Sequence, residues 1–199
     1  MLFRSRRRLE SNRQALREVE ETALGEFLDQ GLMNAEHLLV LDLEKCTRCD
    51  ECTKACADAH DGVTRLVREG LRFSHYLVAS SCRSCLDPYC MVGCPVGSIR
   101  RRNSREIIIE DWCIGCGKCA ENCPYGNINM HPFPTGEKAP DPLNPSVKIP
   151  VVQQKATMCD LCSDLKDGQP SCVYACPHDA AHRMTGTELI GRVEKRMGK

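Results

Sequence analysis

The chain has 199 residues, enough for one or two domains. Lys plus Arg and Asp plus Glu each number 27, so the formal charge is zero, and no basic stripe suited to nucleic acid is visible. No run of about 18 apolar residues occurs, so no membrane-spanning helix is expected.

Residues 1–36 contain no cysteine and read as a charged helical extension. Ser5-Arg6-Arg7-Arg8-Leu9 is followed by Glu10-Ser11-Asn12-Arg13 rather than an apolar stretch, which argues against a twin-arginine export signal. Ser11 with Gln14 can form a capping box, and Gly31 is a plausible stop. Between them Leu16, Val19, Ala23 and Phe27, joined by Leu24 and Leu28, recur at helical spacing, which predicts an amphipathic helix over 12–30. Its stripe has two candidate covers, the chain's own body and a partner subunit. A strand is predicted over His37–Leu43, and two more over Arg65–Arg68 and Tyr76–Ala79 around Gly70. Ser98–Arg102 and Glu106–Glu110 flank Asn103-Ser104 and read as a β-hairpin. Its arginine run suits a solvated edge better than a docking patch. Residues 131–150 hold six of the eleven prolines and predict an extended surface loop. The tail over 186–199 is charged, with a short helix from Glu188 onward.

Sixteen cysteines punctuate this frame in four groups of four, with none left over. They are Cys46, Cys49, Cys52, Cys56; Cys82, Cys85, Cys90, Cys94; Cys113, Cys116, Cys119, Cys123; and Cys159, Cys162, Cys172, Cys176. The first and third follow C-x2-C-x2-C-x3-C, the bacterial ferredoxin spacing for a [4Fe–4S] cluster. The second and fourth lengthen only the step before the third cysteine. Three groups end in Cys-Pro, at Pro95, Pro124 and Pro177, whereas the first has Ala57. Three closely spaced thiolates can wrap one cube of iron and sulfide. The fourth cysteine lies about one helical turn further on, so it points away and reaches the other cluster of a pair, on the order of 10 Å distant. Structural zinc favours two C-x2-C pairs with a long spacer, which this pattern does not match. A disulfide framework needs an oxidising compartment, and no secretory signal is visible.

Four clusters also change the composition argument. Aromatic residues are only 5% of the chain, so an ordinary apolar core is thin and the clusters must fill the interior. The chain without metal is expected to be unstable. Each oxidised cubane with its four thiolates carries about −2, so the loaded protein is acidic by about −8. His60 and His178, which closely follow cysteine loops, are candidates to bond near a cluster. No dinucleotide fingerprint and no nucleophile–base pair is visible, so no catalytic residue is assigned.

In this order, the four groups make the chain resemble the four-cluster iron–sulfur subunits of molybdopterin oxidoreductases, such as those of dimethyl sulfoxide reductase, formate dehydrogenase, polysulfide reductase and nitrate reductase. The resemblance covers about residues 38–183 and rests on Cys46-Thr47-Arg48-Cys49, Ala55-Cys56, Ser81-Cys82-Arg83-Ser84-Cys85, Asp87-Pro88 and Cys113-Ile114-Gly115-Cys116. It implies ligation crossing between the first and fourth groups and between the second and third. One cluster then takes Cys46, Cys49, Cys52 and Cys176, and its neighbour Cys159, Cys162, Cys172 and Cys56. The inner pair takes Cys82, Cys85, Cys90 with Cys123, and Cys113, Cys116, Cys119 with Cys94. Some nitrate reductase relatives place tryptophan in the third group and hold a [3Fe–4S] cluster; Cys116 implies [4Fe–4S] here.

The expected fold is α+β: two pseudo-symmetric ferredoxin-like modules with short hairpins, plus the N-terminal helix. One module draws on 37–60 and 155–185, the other on 80–130, within a four-cluster domain over 37–185. The expected function is a non-catalytic electron relay in a larger, cytoplasmic oxidoreductase complex of anaerobic metabolism. The resemblance implies a catalytic subunit of the molybdopterin or tungstopterin type and a further redox partner. Export on a signal-bearing partner stays open. The alternatives are a freely diffusing polyferredoxin and a redox-sensing regulatory module.

Overall fold

The computed structural model describes residues 22–102, 105–163 and 168–196. Helix α1 (Ala23–Asp29) starts where the Thr22 hydroxyl accepts a 3.2 Å hydrogen bond from Gly25 N–H, and it stops at Gly31, which has φ +61°. The capping box at Ser11 and Gln14, with Leu16 and Val19, lies outside the described residues. Within the described part the stripe is covered by the chain itself. Phe27 is fully buried, with its ring centroid 5.6 Å from that of Phe73. Leu24 and Leu28 remain about half exposed.

Strand β1 (Leu38–Asp42) is buried at every residue. It runs through a four-stranded antiparallel sheet with β2 (Val67–Phe73), β3 (Tyr76–Ser80) and β8 (Ala181–Met184), in the order β2-β3-β1-β8. Its unbroken apolar run reflects a strand covered on both faces. Leu38 and Val40 join Phe73, Val78 and Met184 in a core closed by α1 and by helix α5 (Gly186–Arg196). Leu39 belongs to a second core, with Leu66, Ala79 and Leu161, that also holds Cys52, Cys56, Cys159 and Cys172. The tail predicted as charged is thus part of the fold. A capping box opens α5, with Thr185 Oγ1 accepting from Glu188 N–H and Glu188 accepting from Thr185 N–H, and Leu189 and Val193 point into the core.

A third core joins the hairpin of β4 (Ile99–Arg102) and β5 (Glu106–Ile109) to Cys90, Cys113, Cys119, Ile128 and Met158. The turn expected at Asn103-Ser104 lies outside the described residues. The proline-rich stretch departs from expectation. Instead of a loop it forms a long two-stranded ribbon, β6 (Asn129–Pro140) against β7 (Lys148–Thr157). Each strand of such a ribbon has a free edge, and there a missing proline N–H costs no ladder bond. Among the described residues, no helix is long and apolar enough to cross a membrane.

Candidate metal centres

The first C-x-x-C step of each group shares a backbone feature. Its second intervening residue takes positive φ: Arg48 (+61°), Ser84 (+50°), Gly115 (+72°) and Leu161 (+61°). In the first and third groups the next step instead places positive φ at its first intervening residue, Asp50 (+64°) and Gly117 (+78°). Left-handed residues curl the chain tightly and aim successive thiols inward. Helix α2 (Glu51–Asp58) follows Asp50, and helix α3 (Lys118–Asn122) follows Gly117. Helix α4 (Ser171–Tyr174) carries Cys172. Gly115 meets a second demand, because a Cβ there would lie 1.8 Å from the Gln154 carbonyl oxygen on β7.

The Cys-Pro steps also share a turn. Backbone N–H groups of Gly97, Gly126 and Asp179 bond to the carbonyls of Cys94, Cys123 and Cys176. One residue on, Asn127 N–H donates to Cys123 Sγ at 3.4 Å and Ala180 N–H to Cys176 Sγ at 3.3 Å. Further N–H donors reach Cys56 from Arg65, Cys82 from Ser84 and Cys113 from Gly115.

The four predicted sets stand as follows. Cys46, Cys49, Cys52 and Cys176 line one pocket together with His178. Cys56 lies near Cys159, Cys162 and Cys172, close enough for its charge to act on all three. Cys123 acts in the same way on Cys82, Cys85 and Cys90. Cys113 and Cys116 act on Cys119, and Cys94 packs against the core that contains Cys113 and Cys119. Among the described residues, no three His, Cys, Asp or Glu side chains converge tightly enough to hold a single metal ion.

Burial sets the thiol acidities. It pushes Cys90 and Cys172 up to about 12 and Cys82 up to about 11, and it raises Cys159 further; neighbouring cysteines add to each. Two cysteines go the other way. The Ser98 hydroxyl, 3.5 Å from the sulfur, lowers Cys94 to about 7. At Cys176 burial opposes the shift, but N–H groups of Ala180, His178 and Ala181 outweigh it. Buried thiols that repel one another as anions need a cationic centre to exist as thiolates, which is what a set of four around iron supplies. The donor set and the N–H···S bonds therefore fit [4Fe–4S] clusters.

The arginines do work that the sequence did not reveal. Arg101 is not a solvated edge: its guanidinium donates 2.7 Å bonds to the carbonyls of Cys85 and Leu86. Arg105 reaches Ser84 O at 3.2 Å, and Arg102 reaches Ser163 Oγ at 3.0 Å. Only Arg100 behaves as expected, half exposed and paired with Glu110. Arg83, buried inside the second cysteine loop, donates to Gln30 O and Gly31 O and stacks 3.9 Å from the Tyr125 ring centroid. A cation within Cys82-Arg83-Ser84-Cys85 was the one legible signal of this bracing.

Of the two histidines singled out, His60 places Nε2 3.8 Å from Cys162 Sγ, and His178 lines the pocket of Cys46, Cys49, Cys52 and Cys176.

Comparison with known proteins places 4Fe-4S domains over the same cysteine groups. Models of 4Fe-4S dicluster domains match residues 112–180 and 81–128, and a 4Fe-4S binding domain matches 43–59. Hydrogenase-4 component A of Escherichia coli K12 is 32% identical over 172 residues, covering 76% of this chain and 83% of that protein. Electron transport protein HydN of the same strain is 31% identical over 155 residues, covering 71% and 84%. The arsenate respiratory reductase iron-sulfur subunit ArrB of Shewanella sp. ANA-3 is 26% identical over 190 residues, covering 71% and 78%. The chain therefore belongs to the family of iron–sulfur electron-transfer proteins built on 4Fe-4S dicluster domains.

Proposed function

We propose that this chain is the electron-relay subunit of an oxidoreductase complex, with four [4Fe–4S] clusters bound by its sixteen cysteines in the crossed pattern given above. The observation that carries the proposal is the shared pocket of Cys46, Cys49, Cys52 and Cys176, ligands contributed from the two ends of the cysteine-bearing region. When bound, each cluster supplies a one-electron couple spread over iron and sulfide. The chain's own residues do the rest. The thiolates would hold the irons, backbone N–H groups bond the sulfurs of Cys56, Cys82, Cys113, Cys123 and Cys176, and buried cysteines such as Cys52, Cys90, Cys119 and Cys172 would shield the clusters from water. Arg83 and Arg101 set positive charge beside Cys85, opposing the rise that burial imposes on its thiol.

No nucleophile–base pair is assigned, so catalysis is left to a partner subunit. Hydrogenase-4 component A and ArrB carry names of complex components, which supports such a partner. A two-module, pseudo-symmetric arrangement with cytoplasmic residence completes the reading; the matched turns after Cys94, Cys123 and Cys176 support the repeat.

Iron and acid-labile sulfide should each reach about sixteen per chain after anaerobic purification, four per cubane. Cys56→Ser should then perturb the centre held by Cys159, Cys162 and Cys172. An iron content near half that value, or a perturbed Cys46–Cys49–Cys52 centre instead, would sink the count or the crossing respectively. Co-purification of a large catalytic subunit separates this reading from a freely diffusing carrier.

A further inference from the structure

We propose that His60 tunes the centre held by Cys56, Cys159, Cys162 and Cys172, by donating a hydrogen bond to the Cys162 sulfur that favours the reduced form. The inference rests on the four-cluster reading above and deepens it. His60 Nε2 lies 3.8 Å from Cys162 Sγ, a contact between residues 102 apart in the chain. An iron-bound thiolate carries no proton, so it can only accept. The ring must therefore present Nε2–H to the sulfur.

The first cysteine group is what brings the histidine there. In the third and fourth groups a proline follows the last cysteine, and the preceding helices end at Asn122 and Tyr174. Ala57 imposes no such stop, and α2 runs on through Cys56 to Asp58. The chain then closes tightly, with His60 N–H and Gly62 N–H both bonded to Ala57 O at 3.0 and 2.9 Å. That turn faces the fourth group. The departure from Cys-Pro thus delivers an imidazole to a ligand of the neighbouring set. Beside it, Arg65 pairs with the partly buried Asp160 at 3.5 Å, holding the same segment against the Cys159–Cys162 loop. His60 also lines a pocket together with Cys113 of the third group.

Reduction adds one electron from the relay's one-electron donor. No bond to His60 forms or breaks, and the Nε2 proton stays on the ring. The added electron increases negative charge on the sulfurs, so an N–H bond is stronger to the reduced state and raises the potential.

The test is an electron-paramagnetic-resonance-monitored redox titration of the full chain, purified anaerobically, at one fixed alkaline pH, with iron counted in each sample. His60→Leu should keep the wild-type iron content and make one reduction step about tenfold less favourable, about 59 mV lower for a one-electron couple. His60→Gln, which keeps a side-chain N–H, should recover most of that shift. Full iron with unchanged midpoints in His60→Leu overturns the proposal. So does loss of about four irons, one cubane, from both variants, which makes His60 a structural prop. A wild-type chain without iron fails at the four-cluster reading instead, and takes this inference with it.

Discussion

Arg101, Arg105 and His60 each reach a cysteine loop, and Arg83 reaches out of one to the Gly31 carbonyl. The sixteen cysteines were legible because ligand spacing is a local property. Their arginine braces were not, since Arg101 and Arg105 act on carbonyls of Cys85, Leu86 and Ser84 that only the fold brings near. His182 offers a test of charge management away from the cysteines. Burial, then the nearby Arg192 charge, holds it below its ordinary value, while Asp179 works in the opposite direction. The unfolded chain therefore takes up this proton first. The contribution to stability is complete above about pH 6.5 and is lost as pH falls below it toward the folded value. Thermal unfolding of wild type and His182→Gln should diverge in pH slope across that window, the variant being flatter. Parallel slopes would show that His182 is not a source of the acid sensitivity.

At the scale of elements, β1 and the β4–β5 hairpin followed their apolar patterns, because each pattern reports burial directly. The proline-rich segment misled for a physical reason. Proline content signals the loss of ladder donors, but a two-stranded ribbon has outward edges that need none. The N-terminal stripe showed that a face is buried without showing against what, and the answer for Phe27 is the chain's own Phe73. Gly115 and Gly117 separate two effects within one loop. Both have positive φ, but only Gly115 abuts β7. Gly117→Ala should cost about 1–2 kcal/mol from backbone strain alone. Gly115→Ala adds a collision with Gln154 O and should cost clearly more. Denaturant unfolding and hydrogen exchange on Lys148–Thr157 measure this, and equal losses for the two variants would refute the contact.

Across the whole molecule, three apolar cores divide the labour. Two include cysteines, and one, formed by α1, α5 and one face of the sheet, includes none. Stripping the iron with a chelator should therefore unravel the cysteine loops first. Far-UV circular dichroism should fall, and the slowest exchanging amides should remain in Leu38–Asp42. An apoprotein with the unfolding midpoint of the loaded form would contradict this division. The fold class was readable from the cysteine groups and the short strands. The order of the sheet that joins residues 38–42 to 181–184 was not, because strand order depends on long-range pairing.

That joining has a temporal consequence. Strand β1 pairs with β3 on one side and with β8 on the other, and β8 comes almost last in the chain. While the protein is being made, the first cysteine group leaves the ribosome long before Cys176 exists. At roughly 5–20 residues per second the delay is on the order of ten seconds. The second and third groups, adjacent in sequence, can assemble during that interval, whereas the outer thiols must wait in a half-built sheet. On the proposed crossing, the outer pair of centres could be completed only after Cys176 has been made, later than the inner pair.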